Sequence, residues 1–248
     1  MPVRFLTPNP ADSATLTPSS EKTGFVAENV QDVRLTKRWV TGVSVTTEFV
    51  EFDFGAAQAV TAAVIDGHDI TTGDSNIKLF HSDDGAAWTE AAEFTHSVDA
   101  MVVFISSLSH RYWKVEFDKS ASGEERSVGR VFIGTYVQPT RGYQLGWRRT
   151  LSDMSQTKRA FSGTQYGDTR NLFWEVDLKL SHEPTATFDT LRDELSVLGV
   201  GDPLWMALEP TTDPNGPLTL YGRFSKEWKE TEPLNDFFNW SGKFAEDL

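Results

Sequence analysis

Apolar and polar residues alternate with period two along most of this chain, a rhythm that predicts half-buried strands. In Arg111–Gly134 two such runs flank a polar, glycine-containing loop. Trp113, Val115 and Phe117 alternate with Tyr112, Lys114 and Glu116; Val131 and Ile133 alternate with Arg130 and Phe132. Upstream, Val50, Phe52 and Phe54 share one face of Thr47–Phe54, Phe49, Glu51 and Asp53 share the other, and Gly55 ends the run. Val60–Asp66, Ile77–Ser82 and Met101–Ile105 read as further strands, with Trp39 an anchor in Val30–Gly42. Ser82-Asp83-Asp84-Gly85 is a turn signal, since Asx side chains start turns and glycine accepts positive φ. Short strands at even spacing, with no helical stretch between them, predict an antiparallel jelly-roll sandwich over residues 25–138. Residues 1–24 hold Pro2, Pro8, Pro10 and Pro18 and little periodicity, and read as an extended N-terminal arm on the surface.

The rhythm changes after Gly134. Thr135–Gly142 (TYVQPTRG) reads as a linker. Tyr143–Arg149 and Lys158–Gly163 are candidate strands around a polar turn. In Leu172–Leu180, Leu172, Trp174, Val176, Leu178 and Leu180 share one face. Phe188, Leu191, Leu195 and Leu198 then form a single helical stripe, with Thr187 as N-cap, Asp189 in the first turn and Gly199 as the stop. Pro203–Glu209, Leu218–Phe224 and Phe237–Phe244 are strands again, the first two joined by a turn at residues 213–217. The expected fold is therefore mainly β, a jelly-roll sandwich followed by an α+β sandwich with one helix over residues 139–248.

At 248 residues the chain is long enough for two medium domains, and its 8 Trp and 17 Phe can build cores from few side chains. It has no cysteine, hence no disulfide, thiolate metal site or cysteine nucleophile. No apolar run is long enough to cross a bilayer, and the N-terminus lacks the apolar block of a signal peptide. The net charge of −13 argues against a surface that binds nucleic acid throughout. The charge is uneven: residues 139–171 hold 6 Lys+Arg against 2 Asp+Glu, while the segments before and after are net −8 and −9.

Candidate chemistry is sparse. None of His68, His81, His96, His110 and His182 has metal-ligand spacing. His68, in a loop at a sandwich end, is either a binding residue or a locally bonded loop histidine. Arg38 and Trp39 either form a sugar-stacking platform or place Trp39 in the core. Glu51 and Asp53 share a strand face, as a carboxylate pair for glycoside hydrolysis or simply as the solvated side. Asp83-Asp84-Gly85 is either a calcium ligand set or a bare turn. There is no nucleophile elbow, P-loop or dinucleotide motif, and neither enzyme activity nor a cofactor is expected.

FVEFDFGAAQAV, VIDGHDI, IKLFHSDDGAAW, RYWKVEF and VGRVFIG occur in an order that resembles the discoidin-like (galactose-binding-like) jelly roll over about residues 25–135. The form closing with GRVFIGTYVQPTRG looks most like a version carried by tail-tip proteins of long-tailed bacteriophages. The later β-β-β-α-β-β-β order resembles the tail-tube fold of phage tube proteins and distal tail proteins. The resemblance implies a structural protein of a tail tip or baseplate, made in the host cytoplasm and carried in the virion. It would join the distal tube to the tip as a homo-oligomeric ring, contacting the tail tube, tape measure and baseplate hub, with DNA only in passage. The alternative is a carbohydrate-binding module for host glycan, through Arg38, Trp39 and His68. Arg141, Tyr143, Trp147, Arg148, Arg149 and Arg159 mix cations with aromatics and are the candidate subunit interface. Glu175 and Asp177 are candidates to line a lumen, where their charge would repel DNA.

Overall fold

The computed structural model describes residues 2–43, 45–121, 123–141, 147–159, 161–212, 215, 218–224, 229–234 and 236–247. In chain order its strands are β1 (Arg4–Leu6), β2 (Thr15–Pro18), β3 (Trp39–Val40), β4 (Thr47–Asp66), β5 (Ser75–Ser82), β6 (Thr89–Glu93), β7 (Met101–Asp118), β8 (Ser127–Val128), β9 (Arg130–Gly134) and β10 (Tyr136–Val137). β11 (Arg148–Asp153), β12 (Gln156–Arg159), β13 (Gln165–Asp168) and β14 (Leu172–Pro184) precede the helix α1 (Thr185–Leu198). β15 (Leu204–Ala207), β16 (Thr219–Phe224), β17 (Lys229–Leu234) and β18 (Phe237–Glu246) follow it. The chain divides into two compact units. A sandwich unit comprises Arg4–Val137 and Trp205–Thr219; a helix unit comprises Met1–Val3, Gln138–Leu204 and Leu220–Leu248.

The sandwich unit is an antiparallel jelly roll built on two long strands that each serve two sheets. Residues 47–53 of β4 pair with residues 112–118 of β7, whereas residues 58–65 pair with residues 101–110, with register breaks between. The bend lies at Gly55, whose φ of 74° suits glycine and whose N–H donates to Asp53 Oδ1 at 2.8 Å. Residues 47–53 and 112–118 lie in a sheet ordered β2-β4-β7-β5-β6; in the other halves, residues 62–66 of β4 also pair with β9. Val50, Phe52, Leu79, Trp113, Val115 and Phe117 from the one sheet meet Val60, Ala63, Ile65, Met101, Val131 and Ile133 from the other in a single core. Runs expected as separate strands, 47–54 with 60–66 and 101–105 with 111–117, are thus single strands bent at bulges.

Three further expectations give way. Residues 1–24 are not a surface arm. β1 pairs with β10 and β15, β2 pairs with β4, and Phe5 and Leu6 are buried. β9 is buried at every position rather than on alternate ones. Phe132 packs edge-on against Trp205 at 5.7 Å, so this sheet is covered on both faces and its strands read as continuous apolar runs. The 205–219 segment, expected with residues 139–248, belongs to this unit: Trp205 Nε1 donates to Asp66 at 2.7 Å, and Val102 N–H donates to Asn215 Oδ1 at 2.6 Å. Of the turn expected at residues 213–217, only Asn215 lies within the described residues.

The helix unit is a sheet ordered β16-β18-β14-β11, with β17 also on β18 and α1 packed on β14 and β18. Phe188, Leu191 and Leu195 are each 1% exposed, and Phe188 stacks on Phe238 at 4.5 Å. Leu198, the last of the stripe, is half-buried. The helix begins two residues before Thr187, with Pro184 at the N-cap, and ends at Gly199, whose φ is 59° and whose N–H reaches Leu195 O at 3.0 Å. On β14, Val176, Leu178 and Leu180 are core, but Leu172 is exposed and Trp174 half-buried. β17 (KETEPL) has no apolar alternation and was not expected. Among the described residues β12 and β13 pair only with each other, and both strands are exposed at every position.

The burial of the stripe sets its energetic weight. Leu195→Ala is expected to destabilise the helix unit by about 2–5 kcal/mol, the range for truncating a core leucine. Val197→Ala, on the exposed side, is expected to change stability by less than about 0.5 kcal/mol. Denaturant unfolding followed by helix circular dichroism measures both; equal effects would mean that the stripe is not the packed face.

Candidate functional site

One end of the sandwich unit gathers the loops before β4, after β4, before β7 and after β7. At its centre Lys119 and Glu48 form an ion pair, Nζ to Oε1 2.8 Å, with both side chains 0% exposed. Lys119 Nζ also donates to the carbonyls of Gly42 (2.7 Å) and Glu124 (2.9 Å), and the Ser19 and Ser20 hydroxyls donate to Glu48 Oε2. Beside it Arg126 holds Asp74 by two bonds, Nε–Oδ2 2.6 Å and Nη2–Oδ1 3.0 Å. Asp74 also accepts from Thr71 N (2.7 Å) and Ser120 N (2.8 Å). Burial pushes the Asp74 carboxyl up, but Arg126 and these two amides outweigh it and hold it down at about 2. These charges are spent inside the loops, as structure rather than chemistry.

The sugar-binding candidates lie at this same end. Trp39 is 1% exposed, packs edge-on against Phe117 at 6.4 Å and donates Nε1–H to Ser20 O at 2.9 Å. A ring so buried offers no face to a pyranose, so the platform reading is corrected and Trp39 is a core residue. Arg38 is half-buried, with Nη1 bonded to Ser127 Oγ at 3.1 Å. His68 Nε2 lies 3.0 Å from Asp99 O, which places its proton there and leaves Nδ1 bare, buried and without a partner. Burial lowers its pKa; the Asp99 carbonyl and Asp69 oppose this, while His96 and Arg38 add to it. Arg38 and His68 are therefore brought to one rim, where the buried Trp39 adds no exposed ring.

The outer face of the five-stranded sheet presents a different set. Lys114 Nζ sits 4.9 Å from the ring centres of Phe80 and Trp88 and 5.3 Å from that of Phe49, and pairs with Glu116 at 2.7 Å. Glu51 lies opposite Lys114 in register; burial raises its pKa and Lys114 opposes the rise. Asp53 is held by both Nε and Nη2 of Arg111 at 2.7 Å, and that bond keeps its carboxyl below the ordinary range. A carboxylate locked in this way is poorly placed to shuttle protons, which weighs against the hydrolytic pair. Phe49, Phe80, Trp88 and Lys114 escaped the sequence reading as a group because they come from β4, β5, the loop before β6 and β7; only strand pairing brings them together. At the far edge of the sheet, Asp84 Oδ1 accepts from Ala87 N, Ala86 N and Ser82 Oγ, all at 2.9 Å, and its pKa falls to about 2. That carboxylate closes the turn, the simpler of the two readings of Asp83-Asp84-Gly85. Among the described residues no group of three or more His, Asp or Glu side chains is arranged to hold a metal.

In the helix unit the interface candidates separate. Arg141 is exposed and lies over Phe237 at 5.1 Å, its N–H bonded to the buried Glu183. Arg148 and Arg159 are exposed, and Trp147 is half-buried. Arg149 stacks on Trp174 at 3.7 Å and is committed within its own unit. Tyr143 lies outside the described residues. Of the lumen candidates, Asp177 is exposed, but Glu175 is bonded to Lys243 at 2.7 Å and to Ser152. Arg148 and Lys243 both stand opposite Asp177, so this face carries mixed charge rather than the acidic surface that a DNA-repelling lumen needs.

No family model and no curated relative matches the chain. Among solved structures it is similar over 52% of its length to the whole (100%) of a chitosan-binding module of a chitosanase/glucanase from Paenibacillus sp. IK-5, at 18% identity and TM-score 0.46. A CBM32 module of AlyQ, in complex with 4,5-unsaturated mannuronic acid, aligns with 48% of this chain and 92% of its own at 24% identity and TM-score 0.40. A Clostridium perfringens module, CpGH89CBM32-5, in complex with GalNAc-beta-1,3-galactose, aligns with 52% of this chain and 100% of its own at 15% identity and TM-score 0.43. Likeness at these identities and scores establishes neither a ligand nor a family for this chain.

The Asp74 geometry carries a pH dependence. Its pKa in the folded protein lies below that of an unfolded aspartate, near 3.9, so it adds stability above about pH 4 that fades as pH falls towards 2. The stability gap between wild type and Asp74→Asn is expected to be full at pH 6 and to shrink over that window, as measured by urea unfolding. A gap unchanged down to pH 2 would mean that the carboxylate charge contributes nothing.

Proposed function

We propose that this chain is a non-catalytic structural protein that works by assembly, as a component of the tail tip or baseplate of a long-tailed bacteriophage. The observation that carries the reading is the β12–β13 hairpin. Both of its strands are exposed at every position, and Phe161 and Tyr166 stand in solvent at 112% and 62% exposure. Leu151, Met154 and Leu172 beside it are also exposed. Apolar groups displayed together on a projecting hairpin suit a surface that is covered in an assembly. β11 adds an edge strand with one side unpaired among the described residues, the usual place for a second chain to add. The partners in this reading are further copies of the chain, in a ring, and the neighbouring tail proteins. Light scattering on the full chain over a wide concentration range is expected to give a multimer; a monomer throughout would refute self-assembly.

A second reading is favoured by the outer face of the sandwich unit. Phe49, Phe80 and Trp88 beside Lys114, Glu51 and Glu116 combine apolar rings with charged hydrogen-bonding groups, the composition with which a protein surface holds a saccharide. In this reading the sandwich unit recognises a glycan on a host surface, and the site is the sheet face rather than Arg38, Trp39 and His68. A glycan array with the full chain is expected to show saturable binding that Trp88→Ala abolishes while the fold persists. Absence of binding across the array would rule this reading out and leave the assembly reading intact.

A further inference from the structure

Two exposed surfaces of the helix unit are apolar at the centre and opposite in charge. The first is the hairpin: Phe161 and Tyr166 are flanked by the exposed Lys158 and Arg159, and its Asp168 is already paired with Arg170 at 3.0 Å. The second is the C-terminal end of α1 and the turn after it. Val197 and Val200 are 82% and 55% exposed there, among Asp193, Glu194 and Asp202. The cation of this helix, Arg192, is bound to Asp189 at 2.8 Å and lies 3.7 Å from Asp193, leaving the patch acidic.

We infer that the hairpin of one copy docks on the C-terminal end of α1 of a second copy, Lys158 and Arg159 facing Asp193 and Glu194, with Phe161 against Val197 and Val200. The inference rests on the assembly reading and names the two surfaces that reading requires. Charge complementarity selects the occupant. A two-fold contact of hairpin on hairpin sets like charges together, as does helix on helix, whereas hairpin on helix sets opposite charges together. Both surfaces stand exposed in the same chain, so neither covers the other within a copy. A contact between two different surfaces leaves a free hairpin and a free helix end on every dimer, so it repeats, closing into a ring or continuing as a filament. The apolar centre resists water while the charged rim orients the approach, so association weakens as salt screens charges beyond about 8 Å.

A charge-swap experiment on the full chain tests this. Lys158→Glu with Arg159→Glu reverses the hairpin; Asp193→Lys with Glu194→Lys reverses the helix end. Lys158, Arg159 and Asp193 are exposed and Glu194 is half-buried, and circular dichroism and thermal melting check the fold of each variant. In sedimentation velocity, each double variant alone is expected to associate at least about tenfold more weakly than wild type, a shift of about 1.4 kcal/mol. An equal mixture of the two is expected to associate again, since each reversed hairpin then meets a reversed helix end. Wild type that assembles while both variants assemble equally well overturns the docking surfaces and leaves self-assembly standing. Variants that weaken association but fail to restore it on mixing overturn the direct pairing. Wild type that stays monomeric at every concentration overturns the assembly reading, and this inference with it.

Discussion

The buried ion pair of Lys119 and Glu48 is the constraint on which the loop end of the sandwich depends. It ties four separate stretches of chain to one point: Ser19 and Ser20, Gly42, the start of β4 and the loop through Glu124. Removing two charges from water costs several kcal/mol per ion, and mutual attraction offsets this only when the remaining donors and acceptors are satisfied. Here the ammonium has three acceptors and the carboxylate three donors, so every loop that supplies one is held in a single arrangement. An apolar pair of similar size would fill the space without specifying which loop goes where. The pair thus acts on conformation more than on net stability.

That constraint also limits where binding can occur. Arg126, Asp74, Asp69 and Arg38 are bonded among the same loops, so these polar groups hold the rim in place rather than standing free for a ligand. Trp39 lies beneath it as part of the core. The surfaces with unspent capacity are elsewhere: the outer sheet face around Lys114 in one unit, and the hairpin and helix end in the other. The first mixes rings and charges on a rigid sheet, which suits a small polar ligand. The second is a projecting apolar edge, which suits a macromolecule.

Much of the fold was legible in the order of residues, because strand burial follows period two and helix burial follows 3.6. Trp113, Val115 and Phe117 are inward as their alternation predicts, and Phe188, Leu191 and Leu195 are the buried stripe. The local rules failed where a second layer covers a sheet. Alternation puts one face of Arg130–Gly134 in water, yet Phe132 is buried under Trp205, which lies more than seventy positions later in the chain. They failed also at Gly55, which reads as a strand end and is a bend, since a bulge redirects a strand without ending its ladder.

What the sequence by itself determined is the set of faces: which side chains of each strand and of α1 turn away from water, where turns close, and that residues 139–171 are basic between acidic neighbours. Those properties depend on residues a few positions apart, whose geometry the backbone dictates. Only the tertiary structure decided that Trp39 is core, that Phe49, Phe80 and Trp88 surround Lys114, that Arg149 is committed to Trp174, and that the 205–219 segment belongs with the sandwich. Each of these depends on which distant strands pair and in what register. Register is a collective outcome of core packing across the whole sheet, so no local pattern of residues specifies it.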